Sequence, residues 1–308
     1  MSILKLPLEI MYLVANLLAP RYKLECVRVC ILWRVVFEDS LWETIIINSP
    51  DDLKGVCNAV TTRTNRYNKA GNRTRRLYMG DSISAENNQL YSLQKSFPNL
   101  KYLIISRNSL RNEHNIAKRG WSFWRELTHL KLFMNESGTQ NQIQKLHRLS
   151  LYLPNIKNLE CFSTIKSRAP TYTLEDFEAL HSNMPALEYL CLPANVAILS
   201  DRDIELIFST KPAKSTTGIK FQITTIDIRW LCYFAKKYPN LSTFEWIEVE
   251  PFYRHYVFET EAAQILSKLP CAFTHVNKVH IRSSPKSEKV VSILYRALRQ
   301  NKLLAKIE

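Results

Sequence analysis

Apolar residues return at Ile10, Leu13, Val14, Leu17 and Leu18, the spacing of one helical face. Pro20 closes that run, because proline has no N–H and crowds the preceding turn. A second stripe follows at Leu24, Val27, Ile31 and Val35, with Val29, Cys30 and Trp33 beside it. Ser40-Leu41-Trp42-Glu43 has the spacing of a capping box, with a following strand as the alternative. From Trp42 onward the rhythm changes. Short triplets with strand alternation recur: Trp42/Ile45/Ile47, Thr74/Leu77/Met79, Leu100/Leu103/Ile105, Leu127/Leu130/Leu132, Ile156/Leu159/Cys161, Leu187/Leu190/Leu192, Leu241/Phe244/Trp246 and Val276/Val279/Ile281. A degenerate copy is expected around Ile219 and Phe221.

The first positions of these triplets are 26 to 32 residues apart up to Leu187, then 54 and 35 apart. The long gap is two periods, which is where the degenerate copy belongs. Prolines keep the same beat at Pro98, Pro154, Pro185, Pro212, Pro239 and Pro270, with Arg125 standing where one is missing. Each follows a helix-like run: Gln89–Phe97, Ile143–Leu153, Leu174–Met184, Ile204–Phe208, Ile228–Tyr238 and Thr260–Leu269. The fullest copy, Leu100-x-x-Leu103-x-Ile105-x-x-Asn108-x-Leu110, matches the leucine-rich-repeat pattern, and Asn135 and Asn195 fall at the same place in two others. One such unit buries neither its strand face nor its helix face alone, so neighbours must stack. The last run, Ser287–Leu304, reads as an amphipathic helix that covers the open end.

The front of the chain resembles a second family. Leu6-Pro7-Leu8-Glu9-Ile10, the break at Ala19-Pro20, Val29-Cys30-Ile31-Leu32-Trp33 and the late Leu41-Trp42 resemble the F-box in order and in gaps. The resemblance implies a three-helix module that docks on the Skp-family adaptor of a cullin-RING ubiquitin ligase. The adaptor contacts it implies are Leu6, Pro7, Glu9, Ile10, Leu13, Leu17, Leu24, Val29, Cys30, Trp33, Leu41 and Trp42. The expected architecture is α/β. Residues 1–43 form the helical module, and residues 44–308 an irregular solenoid of about eight or nine strand-helix units with a curved parallel sheet on its concave face.

Charge adds detail. The chain has 308 residues and a formal charge of +14, but residues 1–52 carry −2, residues 53–125 carry +11 and residues 126–308 carry +5. Residues 53–73 are polar, basic and poorly periodic, and are expected to form a loop. No apolar run reaches the roughly 18 residues of a membrane span. Pro7, Glu9 and the poor cleavage site Leu17-Leu18-Ala19 argue against a signal peptide. Seven scattered cysteines without a CxxC suit reduced thiols in the cytoplasm or nucleus, and nothing in their spacing suggests zinc.

No phosphate loop, HExxH or GxSxG occurs, and the histidines are scattered, so neither an enzyme nor a cofactor or metal is expected. What remains is a surface. Strand residues between the core positions face the concave side. The expected target contacts there are Arg76, Tyr78, Tyr102, Ile104, His129, Lys131, Phe133, Phe162 and Tyr189. Aromatics mixed with cations suit an acidic or phosphorylated protein segment. The function expected is therefore substrate recognition for a ubiquitin ligase. The alternatives are an interaction scaffold outside any ligase, or a nucleic-acid-binding repeat protein using the basic 53–125 region.

Overall fold

A computed structural model describes residues 6–61, 71–106, 109, 118–134, 139–163, 170–223, 229–248 and 278–282. It is a mixed α/β structure whose paired strands run parallel, and it divides into two compact units, Met1–Thr128 and His129–Glu308.

The first unit opens with three helices, α1 (Leu8–Leu17), α2 (Pro20–Cys26) and α3 (Ile31–Glu43). Pro7 sits at the N-cap of α1, and Pro20 both follows the end of α1 and opens α2, where its missing N–H is no loss. The stripe expected to run unbroken from Leu24 to Val35 is interrupted by a turn over residues 27–29. Cys30 is the N-cap of α3, its sulfur accepting from the Trp33 N–H at 3.5 Å. Met11, Ala15, Val36 and Phe37 form the buried centre, with Leu6, Leu18, Cys26, Val27 and Trp33 packed around them. Ser40 does not cap a helix. It lies inside α3, takes a hydrogen bond from Lys23 Nζ (2.8 Å) and donates one to Asn16 Oδ1 (3.4 Å), joining all three helices.

Three parallel strands follow, β1 (Thr44–Ile47), β2 (Arg76–Met79) and β3 (Tyr102–Ser106). The register aligns Ile45, Leu77 and Leu103, all buried. Between them run α4 (Pro50–Thr61) and α5 (Asn87–Ser96), with the short α6 (Lys118–Trp121) after β3. Helix α4 corrects the expected loop at residues 53–61. Ser49 accepts from the Asp52 N–H (3.1 Å), while Asp52 accepts from the N–H groups of Asn48 and Ser49 (3.0 Å each). This reciprocal cap starts a helix whose Leu53, Cys57 and Val60 are buried. Residues 62–70 of the expected loop lie outside the described residues.

The second unit holds β4 (His129–Met134), α7 (Thr139–Ser150), β5 (Asn158–Ser163), β6 (Thr171–Tyr172), α8 (Leu174–Asn183), β7 (Tyr189–Pro193) and β8 (Asn195–Val196). Then come α9 (Asp201–Ser209), β9 (Gly218–Ile223), α10 (Arg229–Lys237), β10 (Thr243–Glu248) and β11 (Lys278–Arg282). Strands β4, β5, β7, β9, β10 and β11 neighbour one another in that order, and β6 pairs with β8 apart from them. One rank of the register, Leu130, Leu159, Leu190, Ile219 and Phe244, is buried against the helices. Phe177 of α8 meets Phe221, Trp230, Tyr233 and Phe234 at ring-centroid distances of 5.3 to 6.1 Å. Aromatic pairs of this kind add about 0.5–1.5 kcal/mol each beyond the area they bury.

The proline beat has a local cause. The N–H of Leu100 bonds to the carbonyl of Phe97 (3.2 Å), and the same three-residue step joins Ile156 to Leu153, Leu187 to Met184 and Leu241 to Tyr238. Each is a β-turn with proline at its second position, where a fixed φ is favourable. Arg125 occupies that position in the Trp124–Leu127 turn. Pro212 departs from the pattern: the corresponding turn is Ala213–Thr216, with Lys214 second. Asn195 lies in β8, its N–H donating to the Pro170 carbonyl (2.8 Å). Asn108, Asn135, the helix expected over Thr260–Leu269 and the terminal helix expected over Ser287–Leu304 lie outside the described residues.

Candidate interaction surfaces

The three-helix module hides little of its own apolar surface. Leu8, Ile10, Tyr12, Leu13, Val14, Leu17, Tyr22, Leu24, Val29, Ile31, Leu32 and Val35 are all exposed. They make up twelve of the seventeen exposed large hydrophobic residues among the described ones. Leu17 is 87% exposed and Ile31 80%, values that a core position would not show. Of the residues singled out from the sequence, Pro7, Glu9, Ile10, Leu13, Leu17, Leu24 and Val29 lie on this surface. Leu6 and Trp33 pack inward instead, Cys30 caps α3, and Leu41 and Trp42 are half-buried. Ile31 and Val35 also point outward, because the turn at residues 27–29 resets the helical phase and leaves Val36 and Phe37 buried.

The module is tied to the strands that follow it. Arg73 pairs with Asp39, and Tyr12 donates to the other oxygen of that carboxylate at 3.0 Å. Arg76 approaches Glu43 at 3.8 Å, the Thr74 hydroxyl donates to the Trp42 carbonyl (2.9 Å), and the Arg75 N–H to that of Glu43 (2.9 Å). Arg75 also donates to the Asn72 carbonyl (2.7 Å). The cations at 73–76 are thus engaged within the chain.

On the outer face of β1, β2 and β3 the register aligns Ile46, Tyr78 and Ile104, and in the rank before it Thr44, Arg76 and Tyr102. The Tyr78 and Tyr102 rings lie 5.4 Å apart, and Ile46 is 57% exposed. Ile46 was missed among the candidate contacts. Its signal was available: in Thr44-Ile45-Ile46-Ile47 the period of two sends one isoleucine outward.

In the second unit, the outer face of β4 to β10 carries Lys131, Glu160, Cys191, Lys220 and Glu245 in one rank of the register. Lys131 approaches Glu160 at 3.7 Å and stands 4.3 Å over the Phe162 ring. Lys220 bonds to Glu245 at 2.8 Å. Phe133 and Phe162, both half-buried, have ring centroids 6.0 Å apart. Tyr189 is half-buried and lies against Gly218, where an added Cβ would meet the ring at 2.7 Å. Burial lowers the His129 pKa and pushes the Cys191 thiol up to about 12, so imidazole and thiol both stand uncharged at neutral pH. The basic face expected from the sequence is therefore balanced on these strands, two lysines against two glutamates.

Among the described residues no group of three or more His, Cys, Asp or Glu could hold a metal ion, and no helix is long and apolar enough to cross a membrane. No protein-family model matches the chain, and no curated protein matches it.

Proposed function

We propose that the protein is a substrate-recognition subunit of a cullin-RING ubiquitin ligase. Helices α1 to α3 dock on a Skp-family adaptor as an F-box does. The strand-helix units behind them form a leucine-rich-repeat solenoid that holds a target protein. Catalysis in this reading is proximity: target lysines are kept near a ubiquitin-charged enzyme recruited by other subunits, and this chain adds no catalytic side chain.

The observation that carries the reading is the mismatch inside the helical module. Four residues form its buried centre, while twelve large apolar side chains between Leu8 and Val35 face outward. Apolar surface on that scale marks a partner-binding face, and it coincides with the motif residues Ile10, Leu13, Leu17, Leu24 and Val29. The parallel strands with their recurring turn every 25 to 31 residues support the repeat reading. The engagement of Arg73, Arg75 and Arg76 within the chain weighs against a nucleic-acid role for that stretch.

Co-purification with a Skp-family adaptor tests the docking. Pro7 and Ile10 are exposed, so replacing both leaves the module folded and should abolish co-purification. Retained co-purification would show that the helices do not dock in this way.

A further inference from the structure

The cations of the helical module lie on one half of its apolar face, and the inference drawn from them rests on the adaptor-docking reading above. From Leu8 to Ala19 the only charged residue is Glu9. From Pro20 to Val35 the cations Arg21, Lys23, Arg28 and Arg34 stand against one anion, Glu25. The charge of −2 over residues 1–52 comes from acids that follow Val35, and three of these are engaged elsewhere. Asp39 holds Arg73, Glu43 faces Arg76 at 3.8 Å, and Asp52 starts α4.

The arginines are interleaved with the apolar side chains. Helical bonding continues past α2, from the Val27 N–H to the Lys23 carbonyl and from the Arg28 N–H to that of Glu25 (3.0 Å each). Arg21, Leu24 and Arg28 therefore share one stripe. Arg34 is exposed and lies one turn from Ile31 on α3. Their present contacts are slight. Arg21 lies over the ring of its neighbour Tyr22, 4.5 Å from the centroid. Arg28 meets Glu25 at 3.5 Å, but the two side chains are 77% and 71% exposed, and a pair so open to water holds little. Among the described residues Arg34 has no carboxylate within ion-pair distance. Lys23 differs, because its ammonium bonds to Ser40 inside the module.

A partner that covers Leu24, Val29 and Ile31 must also border the guanidinium groups between them. Taking an unpaired cation out of water is unfavourable, so that border has to carry negative charge. A planar guanidinium fits a carboxylate, which it can bond through two N–H groups. We propose that the surface receiving α2 and α3 is an apolar groove edged with carboxylates that pair with Arg28 and Arg34, and that α1 meets an apolar stretch without them. Leu13 and Leu17 then supply contact area, and the two arginines supply orientation. A partner turned end for end would set its carboxylates against α1, which carries no cation.

The test is titration of the full chain with a purified Skp-family adaptor at ~0.1 M and ~1 M salt, between which the screening length falls from about 10 Å to about 3 Å. The unaltered chain should bind about tenfold more weakly at the higher salt. Arg28→Glu and Arg34→Glu, made separately, should each weaken binding by about fivefold at the lower salt and by much less at the higher. Arg202→Glu makes the same charge change at an exposed position of α9 in the second unit and should bind as the unaltered chain does. Binding indifferent to salt, or Arg28→Glu and Arg34→Glu variants that match the unaltered chain, would overturn the proposal and leave the docking reading standing. An equal loss in Arg202→Glu would also overturn it, because the effect would then belong to the charge of the whole chain. So would vesicles of phosphatidylcholine and phosphatidylserine that bind through Arg28 and Arg34 while adaptor binding ignores both. No adaptor binding at either salt would instead count against the docking reading. The salt dependence of the unaltered chain decides the matter even where a variant fails to fold.

Discussion

Arg73, at the entry to β2, closes onto Asp39, in the last turns of α3, and Tyr12 of α1 bonds to the same carboxylate. Asp39 is therefore the joint between the helical module and the strand that begins the next element. Both side chains are mostly buried, 35% and 24% exposed, so the pair is screened less than a surface bridge. Arg73→Ala should cost about 1–2 kcal/mol of stability in denaturant titration and raise hydrogen exchange at the start of β2. Exchange unchanged at residues 74–79 would show that Thr74, Arg75 and Arg76 hold the joint without Arg73.

Gly218 gives room to a ring. Its added methyl would meet Tyr189 at 2.7 Å. Gly218→Ala should destabilise by about 1–3 kcal/mol. Combining it with Tyr189→Ala should recover part of that loss, a coupling read from a double-mutant cycle. Strict additivity of the two substitutions would mean that the ring and the glycine do not constrain each other.

Acid should weaken the second unit through His181. The ring is buried between helices, its Nε2 2.8 Å from the Tyr238 hydroxyl. Burial first, and the nearby Lys237 charge second, lower its pKa to about 3. The unfolded chain titrates near 6.5, so between those values the unfolded state binds a proton that the folded state refuses. Stability contributed by the neutral ring is complete above about 6.5 and is lost as pH falls toward 3. His181→Gln keeps a partner for Tyr238 and should flatten that part of the pH–stability curve. An identical curve in the variant would assign the acid sensitivity to other groups.

Much of this architecture is legible in the residue pattern. The second and third positions of the triplets from Trp42 to Trp246 fall on observed strands because a period of two, with one face buried, leaves few alternatives. The proline beat is legible because it is local chemistry: a turn that favours proline at its second position. Residues 53–61 were misread because charge and polarity outweighed a cap, Ser49 with Asp52, that was present in the sequence. The stripe from Leu24 to Val35 does not hold as one helical face, because a three-residue turn shifts helical phase and no periodicity argument across it survives. The balance of Lys131 by Glu160 was hidden for another reason. Twenty-nine positions separate them, and only the strand register makes them neighbours.

Helix α4 allows a small, clean check of its own start. Ser49→Ala removes the hydroxyl that accepts from the Asp52 N–H. The loss should be about 1 kcal/mol, with lower helical signal and faster exchange over residues 50–61. No change in either would mean that Pro50 and the burial of Leu53 and Cys57 are enough to start the helix.

The account rests on the outward apolar face of α1 to α3 being a docking face. Hydrogen exchange of the full chain, free and with a purified Skp-family adaptor, tests it most directly. The account predicts added protection concentrated in residues 8–35, and its loss when Leu13 and Leu17 are both replaced by Asp. Added protection confined to the strand units, or none anywhere, would contradict it.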